Sequence, residues 1–270
     1  MAGTVQRHAG TAVTVRLFFF AGWRSHLALF RWLRPSAFIP TVLGVPVVQL
    51  VWFVHLGRYL GTYPTEYYVV GNALNACAMA GLFAPAMSIQ GERLSSTLSA
   101  VLATPANRAV MFGGRIGPAV LIGTLTSAVM LALGTALGWL HIPVATLPQL
   151  ALAVLVTALS CSACGLLIGA IGLRTREATF LANVVLYSML LLCGVNIPLS
   201  RLPGWLAAVG TAMPMSQGIE AARRALSQTG GVPGLLGWEL LKAAVLVLLA
   251  LVMLRVLEQI SRAKAALDDA

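Results

Sequence analysis

Charge is what this chain has least of. Only 10% of its 270 residues are charged, against 59% that are hydrophobic. A soluble domain carries about 25% charged residues, so a water-facing surface cannot be covered and an integral membrane protein follows. Acids are scarcer than bases, with eight Asp and Glu against eighteen Lys and Arg. The surplus bases sit in short segments between apolar runs, as orientation signals and lipid-headgroup contacts do. They form no clustered basic patch, which argues against nucleic acid as a partner.

Other absences narrow the chemistry. The two lysines, Lys242 and Lys264, are each followed by alanine, so no G-x-x-x-x-G-K-[ST] phosphate loop exists. There is no H-E-x-x-H zinc motif and no G-x-S-x-G nucleophile elbow. No catalytic residue, metal site or cofactor is therefore expected in this chain, and any ATP and Mg it uses are held by another chain. Cys77, Cys161, Cys164 and Cys193 all lie in apolar runs and read as packing residues. The C-x-x-C at Cys161 lacks further metal ligands beside it. Glu66, Glu220 and Glu239 are expected at or beyond span ends, and His55 and Lys242 alone intrude. That pattern does not suit a carrier driven by buried ionisable groups, and no internal repeat suggests one.

What is present reads as helices in lipid. Residues 1–36 give a cytoplasmic N-terminus, without a cleavable signal pattern, and a basic amphipathic helix. Arg16, Arg24, Arg31 and Arg34 share one arc, with Phe18, Phe19, Phe30 and Trp32 on the rest. Such a helix suits the membrane interface, and Pro35 ends it. Residues 37–258 hold six apolar spans. They run from about Phe38 to Tyr59, Tyr67 to Ile89, Ile116 to Leu140, Leu147 to Leu173, Ala178 to Ile197 and Leu235 to Val256. Each approaches or exceeds the ~20 residues that cross a bilayer. With the N-terminus inside, only Arg58, Arg201, Arg223, Arg224 and Lys242 among the bases lie outside. The expected topology is six spans, both termini cytoplasmic, with a cytoplasmic tail at 259–270.

Two connections carry more than a turn. Residues 198–234 contain LPGWLAAVGTAMP and PMSQGIEAARRAL. They predict an outer re-entrant hairpin of two short helices, the second with Glu220 and Arg224 at i, i+4 and a stripe of Ile219, Ala222 and Leu226. Residues 91–105, GERLSSTLSAVLATP, predict a polar helix between the second and third spans. Glu92 opposes the helix dipole. Leu94, Leu98, Val101 and Leu102 form a stripe able to enter a groove on a soluble partner. Glycine pairs four apart, Gly57/Gly61, Gly113/Gly117, Gly134/Gly138 and Gly165/Gly169, permit close helix packing.

Together these features resemble the permease subunits of type-2 ABC exporters, over nearly the whole chain. Glu92-Arg93, Ser96-Thr97-Leu98, Leu102 and Thr104-Pro105 are similar to the family's coupling helix, E-R-x-x-G-T-L-E-x-L-L-x-T-P. Ser96 replaces its common glycine and Ser99 its common acid. The stretch from Gly194 through Pro198, Pro203 and Trp205 is similar to the family's re-entrant segment. Pro214-Met215 with Arg223 nine residues after the proline is the third match, and Gln217 departs from the favoured residues there.

The resemblance implies an all-α integral membrane fold in the plasma membrane. It implies a second permease subunit, identical or not, membrane lipids around the pair, and one nucleotide-binding ATPase subunit per permease. The implied activity is ATP-driven export of a hydrophobic or amphipathic substrate, such as an antibiotic, a drug or a lipid-like molecule. Gln49, Asn72, Asn75, Asn183 and Asn196 are the polar candidates for the pathway. A permease for polysaccharide or lipid-linked glycan, and a non-transporting scaffold or sensor subunit, are the alternatives.

Overall fold

The computed structural model describes residues 40–94, 113–175 and 177–268, and no strand occurs among them. After a π-helical turn at Pro40–Gly44 come eight α-helices. They are α1 (Val45–Leu60), α2 (Thr65–Leu94), α3 (Ile116–Ala136), α4 (Leu147–Thr175), α5 (Ala178–Leu192), α6 (Gly204–Ala212), α7 (Ser216–Ser227) and α8 (Val232–Asp268). The amphipathic helix expected within 1–36 lies outside the described residues.

Among the described residues, five helical stretches are long and apolar enough to cross a membrane: Val42–Leu60, Thr65–Gln90, Ile116–Ala136, Val144–Gly172 and Val232–Val256. The fifth expected span differs. It was expected to reach Ile197, but α5 has 15 residues and stops at Leu192, a rise of about 22 Å against about 30 Å of hydrocarbon. Helix α8 runs on through the expected tail to Asp268.

α2 and α4 form the centre. α2 packs against α1, α3, α4 and α5, and α4 also meets α7 and α8. The α2–α4 seam is made close by glycine. A Cβ on Gly165 would stand 2.5 Å from the Leu82 carbonyl oxygen and 2.6 Å from that of Gly81. Gly169 faces Ala86 and Ile89 in the same way. Without a hydrophobic drive between helices in lipid, such close dispersion contact is what holds spans together. Of the other three expected pairs, Gly113/Gly117 shows no such seam, since a Cβ on Gly117 would meet open space, and the other two divide their roles. Gly57 and Gly134 abut Tyr68 and Val69, whereas Gly61 and Gly138 lie at φ 62° and 68° beyond helix ends, where a side chain would be strained.

Three connections gather at one end of this bundle. Trp139, from the α3–α4 connection, makes an edge contact with His55 at 5.6 Å, and Arg58 lies over its ring at 5.4 Å. Tyr67 at the start of α2 donates its hydroxyl to the Gly194 carbonyl at 3.0 Å, beyond the end of α5. At the opposite end, Thr179 in the first turn of α5 donates to the Gln90 side chain at 3.2 Å. α5 and its short extension therefore run alongside α2 from Gln90 to Tyr67.

Candidate functional site

The expected helical hairpin is present as α6 and α7, bounded by Pro203 and Pro214. Each proline fits its boundary because it disfavours helix in the preceding residue. α7 is strongly amphipathic. Ile219, Ala221, Ala222 and Ala225 are buried, while Glu220 and Arg224 pair on the open face at 2.8 Å. Gly218 brings the α7 backbone against Thr157 of α4, and Gly210 brings α6 against the Leu192 carbonyl. Trp205 projects from α6 and is 71% exposed. Pro214 is buried, while Pro198 and Pro203 lie nearer the surface.

Two polar clusters fix this hairpin. The first lies where α7 begins. Glu239 of α8 is fully buried and accepts hydrogen bonds from Ser160 Oγ at 2.5 Å, Met215 N at 2.6 Å, Gln217 N at 3.2 Å and Lys242 Nζ at 3.2 Å. Lys242 Nζ also donates to the Met213 carbonyl at 2.9 Å and to Ser216 Oγ at 2.8 Å. A helix N-terminus offers unpaired N–H groups and a positive dipole end, so a carboxylate belongs there. Here the carboxylate comes from another helix. Met215, the residue so held, has φ 80°, a conformation rarely adopted by a non-glycine residue.

This overturns the expectation that Glu239 lies at a span end. α8 starts at Val232, three residues before the expected Leu235, which puts Glu239 two turns inside a membrane-length helix. A lone buried carboxylate would be prohibitive, whereas one with four donors, one of them cationic, is sustained. Its hydroxyl partner, Ser160, stands 79 positions away in sequence, beyond the reach of local pattern.

The second cluster is built on Arg223. Its guanidinium donates to the Gly194 carbonyl at 2.8 Å, the Val195 carbonyl at 3.0 Å and the Tyr67 carbonyl at 3.0 Å. It also lies over the Tyr67 ring, 3.5 Å from the centroid, a cation–π geometry. Burial pulls the guanidinium down to about 10, so it remains a cation at neutral pH. The planar fork explains the choice of arginine, since several carbonyls are reached from one side chain. Beside it, Asn72 Nδ2 donates to Asn196 Oδ1 at 2.9 Å and to the Tyr68 carbonyl at 2.9 Å. Gly71 permits the approach, because a Cβ there would collide with the Val195 carbonyl.

Of the five amides expected along the pathway, the structure brings Asn72 and Asn196 together. Asn75 is buried on α2, one turn from Asn72, with its Oδ1 unsatisfied. Gln49 is partly buried on α1, with its Nε2 unsatisfied. Asn183 on α5 bonds its own helix through the Thr179 carbonyl at 2.9 Å. Glu92, Arg93 and Leu94 are positions in the last turn of α2, which continues through Gly91 without a break. Leu98, Leu102 and Pro105 lie outside the described residues. Among the described residues no group of three metal-ligating side chains occurs.

A bundle of helices, five of them of membrane-crossing length and composition, defines a multi-pass membrane protein. The family model of the ABC-2 type transporter matches residues 14–226, and the chain belongs to that family. It is thus a permease, the membrane component of an ABC transporter; such components associate with an ATP-binding subunit and carry no ATPase site of their own. No curated protein matches the chain.

Proposed function

We propose that this chain is the permease subunit of an ATP-driven exporter that moves a hydrophobic or amphipathic substrate out across the plasma membrane. The observation that carries the reading is the ABC-2 match over residues 14–226, which includes the 91–105 stretch, whose first four residues are the last turn of α2. In this reading Glu92, Arg93, Leu94, Leu98, Leu102 and Pro105 belong to a coupling helix. Motion of a partner ATPase, which holds ATP and Mg, enters there and passes up α2, the most deeply buried of the five membrane-length stretches among the described residues. The scarcity of ionisable groups in the spans favours an apolar cargo such as a drug, antibiotic or lipid-like molecule, with Gln49, Asn72, Asn75, Asn183 and Asn196 as polar points along the pathway.

The topology we propose has six crossings and cytoplasmic termini. Supporting it, α5 with its extension is hydrogen-bonded to α2 both at Gln90 and at Tyr67. The bases near the Gln90 end favour that end as cytoplasmic, and α6–α7 then form a re-entrant hairpin at the outer leaflet. Two permeases pair in this scheme. Phe180, Val184, Tyr187 and Leu191 on α5, and Val48, Trp52, Leu56 and Tyr59 on α1, are exposed apolar stripes suited to that contact.

The test is Leu98→Asp with Leu102→Asp in the assembled transporter. Co-purification of the ATPase subunit and drug- or lipid-stimulated ATP hydrolysis should both be lost. Retention of both would overturn the coupling role.

A further inference from the structure

Helix α7 is held at two places by different chemistry, and the difference decides which hold can let go. At its start, Glu239 and Lys242 of α8 and Ser160 of α4 enclose the backbone of Met215 and Gln217. The carboxylate is fully buried and has a cation beside it. Pulling α7 away would strand a charge in apolar surroundings. Two turns further on, Arg223 grips neutral groups, namely the carbonyls of Tyr67, Gly194 and Val195 and the ring of Tyr67. The uncharged ties of this segment include Asn72 to Asn196, the Tyr67 hydroxyl to Gly194, and the Cys193 thiol to the Pro214 and Gly210 carbonyls. Arg223 is itself a cation, but it is partly exposed at the end of the bundle, so its guanidinium and these carbonyls can exchange one another for water, whereas the fully buried Glu239 carboxylate cannot.

The helices attached to each hold differ in the same sense. α7 is fixed to α4, one of the two central helices. The segment that Arg223 grips leads back into α5, whose Phe180, Tyr187 and Leu191 face away from this chain's own core at about 60% exposure, while Cys193 and Val195 of the segment are fully buried and would be uncovered by its movement.

We propose that Arg223 is the releasable catch of a gate at this end of the bundle. α7 stays with α4 and α8 through Glu239, while residues 193–197 and the end of α5 part from Tyr67 and Asn72. Arg223 is a positioning residue in this scheme. The gate is a property of this chain, and only its use for releasing cargo rests on the exporter reading.

Cys193 reports the event. It is fully buried, with Sγ 3.5 Å from the Pro214 carbonyl oxygen and 3.9 Å from that of Gly210. The test uses the full chain with Cys77→Ala, Cys161→Ala and Cys164→Ala in membrane vesicles, and the rate of Cys193 labelling by a membrane-impermeant maleimide. Arg223→Gln should raise that rate tenfold or more while the thermal midpoint holds within a few degrees, and Arg223→Lys should fall between Arg223→Gln and the parent. Glu239→Gln should instead lower the midpoint. Labelling of Arg223→Gln no faster than the parent, or faster only in step with a fallen midpoint, would overturn the catch. With the ATPase subunit present, ATP should raise labelling of the parent. If ATP does nothing while Arg223→Gln still labels fast, the gate stands and the exporter reading fails.

Discussion

The buried carboxylate of Glu239 accepts a hydrogen bond from the backbone nitrogen of Met215 at 2.6 Å, and Met215 holds that bond at φ 80°. A side chain of the last long helix thus starts a different helix and stabilises an unfavourable backbone conformation there. Replacing Glu239 with alanine should cost about 3–5 kcal/mol, the range for breaking a buried ion pair, seen as a lowered unfolding midpoint in lipid nanodiscs. Buried pairs can often be exchanged for apolar residues without loss. Here Glu239→Leu with Lys242→Leu should remain destabilised, because the N–H groups of Met215 and Gln217 lose their acceptor, at about 1–3 kcal/mol each.

The α2–α4 seam makes a second, purely steric prediction. A methyl at Gly165 meets backbone carbonyls of Gly81 and Leu82, which cannot rotate away as a side chain could. Gly165→Ala should cost about 1–3 kcal/mol, as overpacking does. Gly237 on α8 has nothing within 4 Å of its Cβ position, so Gly237→Ala should be neutral or gain up to about 1 kcal/mol from helix propensity. Comparing the two unfolding midpoints checks the seam against a general effect of removing glycine.

Asparagines in apolar helices differ by where their bonds go. Asn72 reaches across to Asn196, so Asn72→Leu should cost about 1 kcal/mol, near the measured scale for interhelical bonds in membranes. A cycle with Asn196→Leu should return most of that as coupling. Asn183 bonds the Thr179 carbonyl of its own helix, and Asn183→Leu should leave stability within about 0.5 kcal/mol. A transport defect in Asn183→Leu at unchanged stability would mark it as a pathway residue.

These clusters also show what the sequence could reveal. Long apolar runs fixed α2, α3 and α4 to within a few residues, because hydropathy over some twenty positions is a strong signal. Pro203 and Pro214 marked the hairpin, since proline acts on its immediate neighbours. The end of α5 falls short of the apolar run, because Val195 and Ile197 continue that run although the helix stops at Leu192. Hydropathy does not distinguish helix from an apolar extended segment. The depth of Glu239 is hidden for a related reason. A three-residue error in the start of α8 decides whether a carboxylate is at a rim or inside, and its partners Ser160 and Met215 come from other helices. Arg223 was visible as a residue of the re-entrant segment, but its grip on Gly194 and Val195 needed the folded chain.

The C-x-x-C of α4 gives the last prediction. Cys161 is fully buried and Cys164 is 7% exposed. Both are free thiols, and no third ligand joins them among the described residues. Position i and i+3 of one helix put the two sulfurs on one side, where a zinc site would still need more ligands for its usual four-coordinate shell. Cysteine in such a place acts as a small apolar filler of the α2–α4 seam, where Cys161 faces Gly81. Neither thiol should react with an aqueous thiol reagent until the chain is unfolded, and neither zinc nor a chelator should move the unfolding midpoint. Cys161→Ala with Cys164→Ala should cost only about 1 kcal/mol per site through the small cavities left behind. A zinc-dependent rise in the midpoint that this double substitution abolishes would overturn the packing role.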